Sequence, residues 1–473
     1  MSICGVLTYV NRRGTRTASL FALALVCALA APAMSGAATK FDTSYQNGGT
    51  LLLPQMRGVY GQVTHTCGIS GKNLHIAGRF GRNEPGFPSG WNTNQALALT
   101  SVKISHRQPM SLGVATVRWR KQRIPTHHVV VGSDFDPDGG FAYATQWKKK
   151  SELTKLKVFR VDAAGSRVKG FGRNGYITLG IAALAKSQGI RVLALPRGKV
   201  LLLIQTKSMT ILMRFTAKGK ADQTWGSGGI VELPAPTSFV ATPLRAVDSA
   251  SETEGGGLLI AASGTPTSPA PGTLGILRLS ASGKVVTSWA DGGFWTPPAA
   301  ADPSKYAVTG RSLMTVTRKG GDYAVLYADV KSEEIGATSE LRIAYVDEEI
   351  GVTTASNADA GSYYNGGDEG FPDANPWTLG TSSAGPVFAF AQSRFDSPGG
   401  TFLGRASRYT TNTAKRAASQ ALSNTGFATS TFAVDPASRH LYFCGAFGVT
   451  SVKAKRPERR EQRKYVAVRR ITL

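Results

Sequence analysis

Short apolar runs recur along the chain and predict its strands. Each run follows a turn, and neighbouring runs begin 54 to 67 residues apart. Near-continuous apolar runs of this length are typical of strands that are covered on both faces. Repeats at about this spacing are typical of propeller blades. The seven runs are Leu74–Phe80, Phe141–Trp147, Val200–Thr206, Leu258–Gly264, Tyr323–Asp329, Val387–Ser393 and Leu441–Phe447.

A second repeated series consists of an aromatic residue followed by a glycine turn. The glycines allow the positive φ that a sharp reversal requires, and the aromatic ring can fill the seam between two sheets. We therefore interpret the series as blade-closing turns and not as glycine-rich binding loops. Its members are Tyr45–Gly49, Phe171–Gly175, Trp225–Gly229, Trp289–Gly293 and Tyr363–Gly367.

One complete period lies between residues 188 and 229. It predicts an inner strand over Ile190–Pro196, a second strand that ends at Thr206, a third over Met209–Thr216 and a short fourth that leads into Trp225. Four antiparallel strands per period form a propeller blade.

The two chain ends complement one another. Lys464–Leu473 predicts a third strand with no fourth after it, and Lys40–Gly49 predicts a fourth strand with no third before it. Joined together they complete a seventh blade, which leaves only short, protected sheet edges. The predicted fold class is all-β: a single seven-bladed β-propeller over residues 38–473, closed by the N- and C-terminal strands.

Several short motifs repeat within the predicted blades, and they connect the chain to a known family. On these motifs the chain resembles bacterial delta-60 repeat proteins, relatives of NHL-type propellers. Two copies depart from the pattern, because Arg-Lys-Gln-Arg follows Trp119 and Ser423–Gly426 lacks an aromatic residue. The resemblance implies a propeller fold and no single activity. The matching motifs are Asp42–Tyr45, Asp138–Gly140, Phe171–Gly175, Arg197–Lys199 and Asp222–Trp225.

The N-terminus has the order of a secretory signal peptide. Arg12, Arg13 and Arg16 precede an apolar run over residues 20–31, and small residues follow up to Ala38. We predict a signal peptide over residues 1–37, and therefore a periplasmic or secreted protein. The apolar run is short for a membrane span, so we expect no span after cleavage; an uncleaved anchor is the alternative.

The charge is strongly positive and unevenly distributed. The chain carries a formal charge of +25, and removal of three arginines with residues 1–37 leaves +22. Residues 301–376 instead hold six basic and thirteen acidic groups, a net of −7. This charge favours the binding of polyanions. We predict a basic face over blades 7, 1 and 2, beside the aromatic Trp91. Its basic residues are Arg118, Arg120, Lys121, Arg123, Lys148, Lys149, Lys150, Lys453, Lys455, Arg456, Arg459, Arg460 and Arg463.

The sequence contains no constellation typical of catalysis, such as a nucleophile elbow or a zinc-binding helix motif. The stretch from Asp134 to Gly139 imitates the start of a calcium loop, but Thr145 stands at the twelfth position and an ordinary turn explains it. No other cofactor is indicated. His65, His127 and His128 fall on predicted inner strands, where they would be the candidate ligands of a metal in the central channel.

Cys67 and Cys444 are the only cysteines after residue 37, and they fall in the first and last blades. Outside the cytoplasm such a pair can oxidise, which predicts a disulfide between them. Our leading hypothesis is a monomeric binding scaffold for an anionic envelope polymer or an acidic protein partner, without specific nucleic-acid recognition. The alternative is a metal-dependent hydrolase or lactonase with its site in the channel.

Overall fold

The computed structural model describes nineteen segments of the chain, and these segments contain all of the strands named below. They are residues 50–53, 62–80, 96–104, 120–124, 128–135, 139–149, 152–180, 189–206, 209–234, 245–252, 257–263, 275–298, 308–319, 322–333, 336–365, 377–394, 401–424, 427–450 and 462–473.

The described residues form seven antiparallel sheets of four strands each, which we call blades. Strand β1 is Thr50–Leu53. Blade 1 contains β2 (Gln62–Ser70), β3 (Asn73–Phe80), β4 (Ala96–Lys103) and β5 (Arg120–Arg123). Blade 2 contains β6 (His128–Phe135), β7 (Phe141–Lys149), β8 (Glu152–Val161) and β9 (Tyr176–Leu179). Blade 3 contains β10 (Gly189–Leu195), β11 (Lys199–Gln205), β12 (Met209–Phe215) and β13 (Ile230–Pro234).

The remaining blades follow the same order. Blade 4 contains β14 (Arg245–Glu252), β15 (Leu258–Ser263), β16 (Gly275–Leu279) and β17 (Phe294–Trp295). Blade 5 contains β18 (Val308–Lys319), β19 (Asp322–Glu333), β20 (Gly336–Asp347) and β21 (Thr353–Asn365). Blade 6 contains β22 (Trp377–Ser382), β23 (Gly385–Arg394), β24 (Thr401–Tyr409) and β25 (Arg416–Asn424). Blade 7 contains β26 (Phe427–Val434), β27 (His440–Thr450), β28 (Gln462–Thr472) and β1.

The second strand of each blade coincides with one of the seven apolar runs, as predicted. Strand β11 shows why these runs are apolar at every position. Leu202 belongs to a buried cluster with Val158 of blade 2, whereas Leu203 belongs to a cluster with Leu258 of blade 4. Both faces of the strand are therefore covered by neighbouring blades. Each fully buried leucine contributes about 1.5–3 kcal/mol through removal of apolar surface from water.

The blades follow one another in chain order. The first strand of each blade contacts the first strands of the blades before and after it, and β2 of blade 1 also contacts β26 of blade 7. Strand β1 pairs with β28, from Thr50 opposite Arg469 to Leu53 opposite Val466. The fold is thus a β-propeller in which the N-terminal strand adds to the last sheet.

The structure corrects the predicted position of the fourth strands. In blade 3 the fourth strand follows the aromatic turn, because β13 begins at Ile230, after Trp225. At the N-terminus the strand that pairs with β28 is Thr50–Leu53 and not Lys40–Gly49, whose residues lie outside the described segments. The physical reason is that the turn places its aromatic side chain in the seam before the chain forms the outer strand.

Two further sequence interpretations are wrong. Tyr363 does not begin a turn, because it lies within β21 opposite Ser339. Residues 120–123 do not connect two blades, because they form β5, which pairs with β4 as the outer strand of blade 1. Residues 120–123 lack the glycine-rich turn pattern, so the repeat gave no register for them. Tyr363–Gly367 has the pattern, but β21 pairs with β20 as far as Asn365, so the local motif did not decide the structure there.

Candidate functional site

A backbone hydrogen bond joins the turns of neighbouring blades at one end of the sheets. This end, which we call the turn face, carries the turns between first and second strands and those between third and fourth strands. In each case the residue after a buried aromatic donates its N–H to a carbonyl of the next blade, and we call this contact the latch. The three latches, donor first, are Gly172 to Lys218 (2.9 Å), Gly226 to Ser282 (2.7 Å) and Ala290 to Ile350 (2.9 Å).

The latch depends on a glycine that follows the accepting residue. Gly219 has φ +72°, and a Cβ at this position would lie 2.6 Å from the Gly172 nitrogen. Gly351 has φ +74°, and its Cβ would lie 2.6 Å from the Ala290 nitrogen. A side chain would therefore both strain the backbone and separate the turns. The aromatic residues before the three donors are fully buried, which confirms the prediction that they fill the seams; they are Phe171, Trp225 and Trp289.

A cleft of about 460 Å³ lies at the seam between blades 2 and 3, next to the first of these latches. The outer strand β9 forms one wall, and the end of β12 with its turn forms the other. Ile177 and Leu179 pack against the buried cluster between the two blades, while Thr178 is exposed. None of the lining residues is acidic. They are Arg173, Tyr176, Ile177, Thr178, Leu179, Phe215 and Gly219.

Three exposed cations line this cleft or stand next to a residue that lines it, and we call them the cleft cations. Arg173 lines it directly, and Lys218 and Lys220 flank Gly219 on the opposite turn. The ammonium group of Lys157 lies 5.0 Å from the centre of the Tyr176 ring, at the distance of a cation–π contact. Residues 139–180 carry nine basic and two acidic groups, a net of +7. The cleft therefore combines positive charge with apolar walls, whereas the Tyr176 ring packs beside Phe159 against the cluster between blades 1 and 2.

The buried charges of blade 3 are satisfied within the protein. Asp222 accepts hydrogen bonds from Arg214 Nε at 2.9 Å and Lys199 Nζ at 3.0 Å, and Thr224 donates its hydroxyl to the same carboxylate at 2.6 Å. Burial alone would raise the pKa of Asp222, but the hydrogen bonds from Thr224 and Lys199 and the nearby Arg214 charge lower it to about 2. Asp222 is thus ionised at neutral pH.

Arg214 extends this network to the next blade. Its guanidinium lies 5.0 Å from the centre of the Trp225 ring, and its Nη2 donates to the carbonyl of Ala281 in blade 4 at 3.1 Å. Arg278 repeats the arrangement one blade later, because it lies over Trp289 and donates to the carbonyl of Glu348 in blade 5. These arginines hold blades together, and nothing in the repeat motifs had distinguished them from surface cations.

The seam between blades 4 and 5 uses the same latch with different side chains. Asp291 and Glu349 are exposed there, and Ile350 and Val352 are 58% and 55% exposed. The aspartate occupies the position of Arg173, and the two apolar residues occupy the positions of Lys218 and Lys220. The turn face is therefore basic at one seam and acidic and apolar at another.

Three residues of the predicted basic face lie at the other end of the sheets, which we call the hairpin face. Lys148 and Lys149 end β7, opposite Leu153 and Glu152. Arg463 lies near the start of β28, and Lys121 and Arg123 lie in β5; the side chains of all five lie outside the description. The remaining members fall outside the described segments. They are Arg118, Lys150, Lys453, Lys455, Arg456, Arg459, Arg460 and the aromatic Trp91.

Arg120 is the one predicted binding residue whose side chain is described. It is exposed, and its aliphatic stem lies against Gly165 in a turn of blade 2. The neighbouring Gln122 is buried and donates to the Gly165 carbonyl at 2.6 Å. The basic strand β5 is thus attached to blade 2. The cleft cations were not among the predicted residues, because they belong to two turns that are far apart in the sequence.

The described residues of the candidate metal sites, His128 and Asp134, contact other protein groups. His128 Nδ1 lies 3.1 Å from the Thr145 hydroxyl. His65 lies at a bulge of β2, its side chain outside the description, and His127 lies outside the described segments. Asp134 accepts backbone N–H bonds from Phe135 and from Ala194 of blade 3, both at 2.9 Å. Among the described residues, no three His, Cys, Asp or Glu side chains are grouped as metal ligands would be.

A buried histidine that the sequence had not singled out lies between blades 1 and 2. His75 Nδ1 and the Ser101 hydroxyl are 2.6 Å apart, and Ser101 occupies the strand position that Arg160 and Arg214 occupy in blades 2 and 3. Burial lowers the pKa of His75. The neutral pair thus replaces the buried arginine in blade 1.

Comparisons with known proteins bear on the fold alone. No protein-family model and no curated protein matches the chain; the resemblance to delta-60 repeat proteins therefore stays a prediction. Among solved structures, the polysaccharide lyase Uly1 is 10% identical, with 86% of this chain and 89% of that one covered and a TM-score of 0.48. The Nup133 β-propeller domain of Vanderwaltozyma polyspora is 9% identical, with 85% and 100% covered and a TM-score of 0.41. The β-propeller domain of the Trilobed protease from Pyrococcus furiosus is 8% identical, with 82% and 90% covered and a TM-score of 0.38.

No helix in the described segments has the length and apolar character of a membrane span.

Proposed function

We propose that this chain is an exported, monomeric seven-bladed propeller that binds an anionic envelope polymer through the basic seam between blades 2 and 3. The observation that carries the proposal is the cleft of about 460 Å³ with Arg173, Lys218 and Lys220 around it and no acidic lining residue. Export rests on the signal-like order of residues 1–37. Closure of the ring is supported by the pairing of β1 with β28 and by the contact between β2 and β26.

The chemistry of the cleft favours a sugar polymer that bears carboxylate or phosphate groups. A guanidinium such as that of Arg173 can bind either group through two parallel hydrogen bonds. The lysines add positive charge on the opposite turn without a fixed geometry. The apolar side chains of Ile177 and Leu179 offer a surface for the less polar faces of sugar rings. An acidic protein partner would need the cations but not this apolar wall.

The experiment compares charge at the cleft with equal charge elsewhere. The cleft variant combines Arg173→Ser, Lys218→Ser and Lys220→Ser. The matched control combines Lys284→Ser, Lys415→Ser and Arg439→Ser, three exposed cations on blades 4, 6 and 7. Binding of each purified protein to immobilised lipopolysaccharide and to heparin is measured over a salt series. We expect the cleft variant to lose on the order of tenfold in affinity at low salt, and the control to lose far less.

A third variant tests the hairpin face. Replacement of Lys148, Lys149 and Lys150 by Ser removes three predicted binding residues, of which Lys148 and Lys149 end β7 at the other end of the sheets. A large loss only in this variant would move the site to the hairpin face. Equal small losses of affinity in all three variants would show that binding depends on net charge alone, and would overturn the proposal.

The alternative function, a metal-dependent hydrolase with its site in the channel, makes a separate prediction. A stoichiometric metal ion in the purified protein, lost together with hydrolytic activity after replacement of His65 or His128, would favour it. No contact among the described residues favours it at present, so we retain the binding function.

A further inference from the structure

Two cysteines that are far apart in the sequence meet at the seam between blades 7 and 1. Cys67 lies in β2, the first strand of blade 1, and Cys444 lies in β27, the second strand of blade 7. Both belong to one apolar cluster, in which Ile76 of blade 1 and Val468 of blade 7 also take part. Their exposed fractions are 7% and 0%. The offset between a first and a second strand does not separate them, because β2 contacts both β26 and β27.

The two thiols are direct neighbours. The pKa of the Cys444 thiol is raised well above its ordinary value by burial, and the adjacent Cys67 thiol raises it further. Both thiols lie in the apolar cluster at this seam, and both are free in this structure. Their strands β2 and β27 are already in contact, which removes a common obstacle to a proposed bridge.

We infer that Cys67 and Cys444 form an intramolecular disulfide that locks the seam where the two ends of the chain meet. This seam is otherwise held by the apolar cluster and by the contacts of β2 with β26 and β27. A bond between Cys67 and Cys444 would add a covalent connection to these contacts. The closed loop would span most of the chain, and in the chain-entropy account long loops give large stabilisation because the unfolded ensemble loses the most freedom.

The chemistry requires a disulfide donor, which a thiol–disulfide oxidoreductase or glutathione disulfide would supply. The thiolate of Cys67, the more exposed of the two, attacks one sulfur of the donor, and the other donor sulfur leaves as a thiolate. The thiolate of Cys444 then attacks the Cys67 sulfur of this mixed disulfide and releases the second donor sulfur. Two protein thiols lose two protons and two electrons in total, and the donor disulfide is reduced to two thiols.

Burial decides when the bond can form. Neither sulfur is accessible to a protein oxidant in the folded structure, so the exchange must occur while blades 7 and 1 are still separate. Once formed, the disulfide should resist added reductant until the seam opens. The inference is independent of polymer binding, because this seam does not include the cleft between blades 2 and 3.

The test uses the full chain, unfolded and refolded with glutathione disulfide or with excess reductant. Each product is denatured and alkylated, and its peptides are mapped by mass spectrometry, which follows Cys4 and Cys27 separately. We expect a linked peptide pair that contains Cys67 and Cys444 in the oxidised product, and two alkylated residues at these positions in the reduced one. Alkylation of both residues in the oxidised product would overturn the inference, and so would their pairing between two chains.

A stability measurement tests the lock itself. The oxidised wild type should unfold several degrees above the reduced wild type. The Cys67→Ser and Cys444→Ser variants should show no such difference between oxidising and reducing conditions. A linked wild type with no rise in its unfolding temperature would show that the bond exists but does not lock the seam.

Discussion

The seams between blades 2 and 3 and between blades 4 and 5 share a backbone and differ in charge. In both, the residue after a fully buried aromatic donates its N–H to the next blade at 2.9 Å. The acceptor precedes a glycine with positive φ in each case. Arg173 in the first seam corresponds to Asp291 in the second.

This difference separates two kinds of position in one repeat. The aromatic and the glycine are set by packing, because a seam must be filled and two turns must come within hydrogen-bond distance. The residues on either side of them point to solvent and are free to vary. At the first seam they are Lys218 and Lys220, whereas at the second they are Ile350 and Val352. Stability should therefore respond to the first kind of position, and binding to the second.

The largest effect is expected from a side chain in the latch. Gly219→Ala and Gly351→Ala should each lower the free energy of unfolding by about 3 kcal/mol, because the left-handed backbone and the close contact both oppose a Cβ. The control is Gly292→Ala, whose φ is +61° but which has no atom within 4 Å of the added Cβ. It should lose about 1 kcal/mol. Urea unfolding measures all three, and a much larger loss at one seam than at the other would refute a common latch.

Acid should weaken the seam between blades 3 and 4 through Asp222. Its folded pKa of about 2 lies below the ordinary 3.8, so the carboxylate stabilises the fold above about pH 3.8. This contribution, about 2 kcal/mol, is lost as the pH falls to about 2. The free energy of unfolding measured between pH 5 and pH 2 should fall more steeply in the wild type than in Asp222→Asn. Parallel curves would show that Asp222 does not titrate with a lowered pKa.

Replacing the three exposed cations of the first seam with the corresponding residues of the second should remove the positive charge of the first seam and weaken its binding of polyanions. Arg173→Asp, Lys218→Ile and Lys220→Val together give the first seam the side chains of the second. We expect on the order of a tenfold loss of heparin affinity at low salt, about 1.4 kcal/mol. Stability should change by no more than about 0.5 kcal/mol per site, because the side chains are exposed.

The reverse exchange is the matched control. Asp291→Arg, Ile350→Lys and Val352→Lys together should increase retention on heparin without loss of stability. A gain as large as the loss at the first seam would show that the charge alone matters. A smaller gain would assign the remainder to the cleft at the first seam. No change in either variant would contradict the role of the flanking residues.

The smallest effect is expected from the cation over the Tyr176 ring. Lys157→Ser removes the charge over the Tyr176 ring and should cost about 0.5–1 kcal/mol of stability. Lys155→Ser on the same strand removes an exposed lysine and serves as the control, with no measurable loss expected. Thermal unfolding distinguishes them. Equal losses would show that the ring contact contributes nothing beyond an ordinary surface charge.

The repeat could be predicted because its signals are local. Seven apolar runs marked the second strands, since a strand covered on both faces must be apolar at every position, as Leu202 and Leu203 illustrate. The aromatic turns at Phe171, Trp225 and Trp289 were recognised for a similar reason. The outer strands were less predictable. Strands β5 and β13 have only four and five residues, too few for a pattern that would set their register.

The cleft could not be predicted in the same way. Arg173 and Lys218 lie in different blades, and each alone resembles an ordinary solvated residue of a turn. Only the latch between Gly172 and Lys218 brings the two turns together. The role of Arg214 could not be predicted either. A charged residue is expected at the surface, whereas Arg214 is buried between the Asp222 carboxylate and the Trp225 ring.

The sequence by itself determined the number of strand repeats, the residues that fill the seams, and the strongly positive charge, because burial and glycine turns act over a few residues. The tertiary structure decided where that charge is concentrated. Neighbouring blades place turns side by side that are far apart along the chain, and the same latch then presents arginine and lysine at one seam and aspartate and apolar residues at another. Side chains exposed at those positions do not affect packing, so no local pattern constrains them.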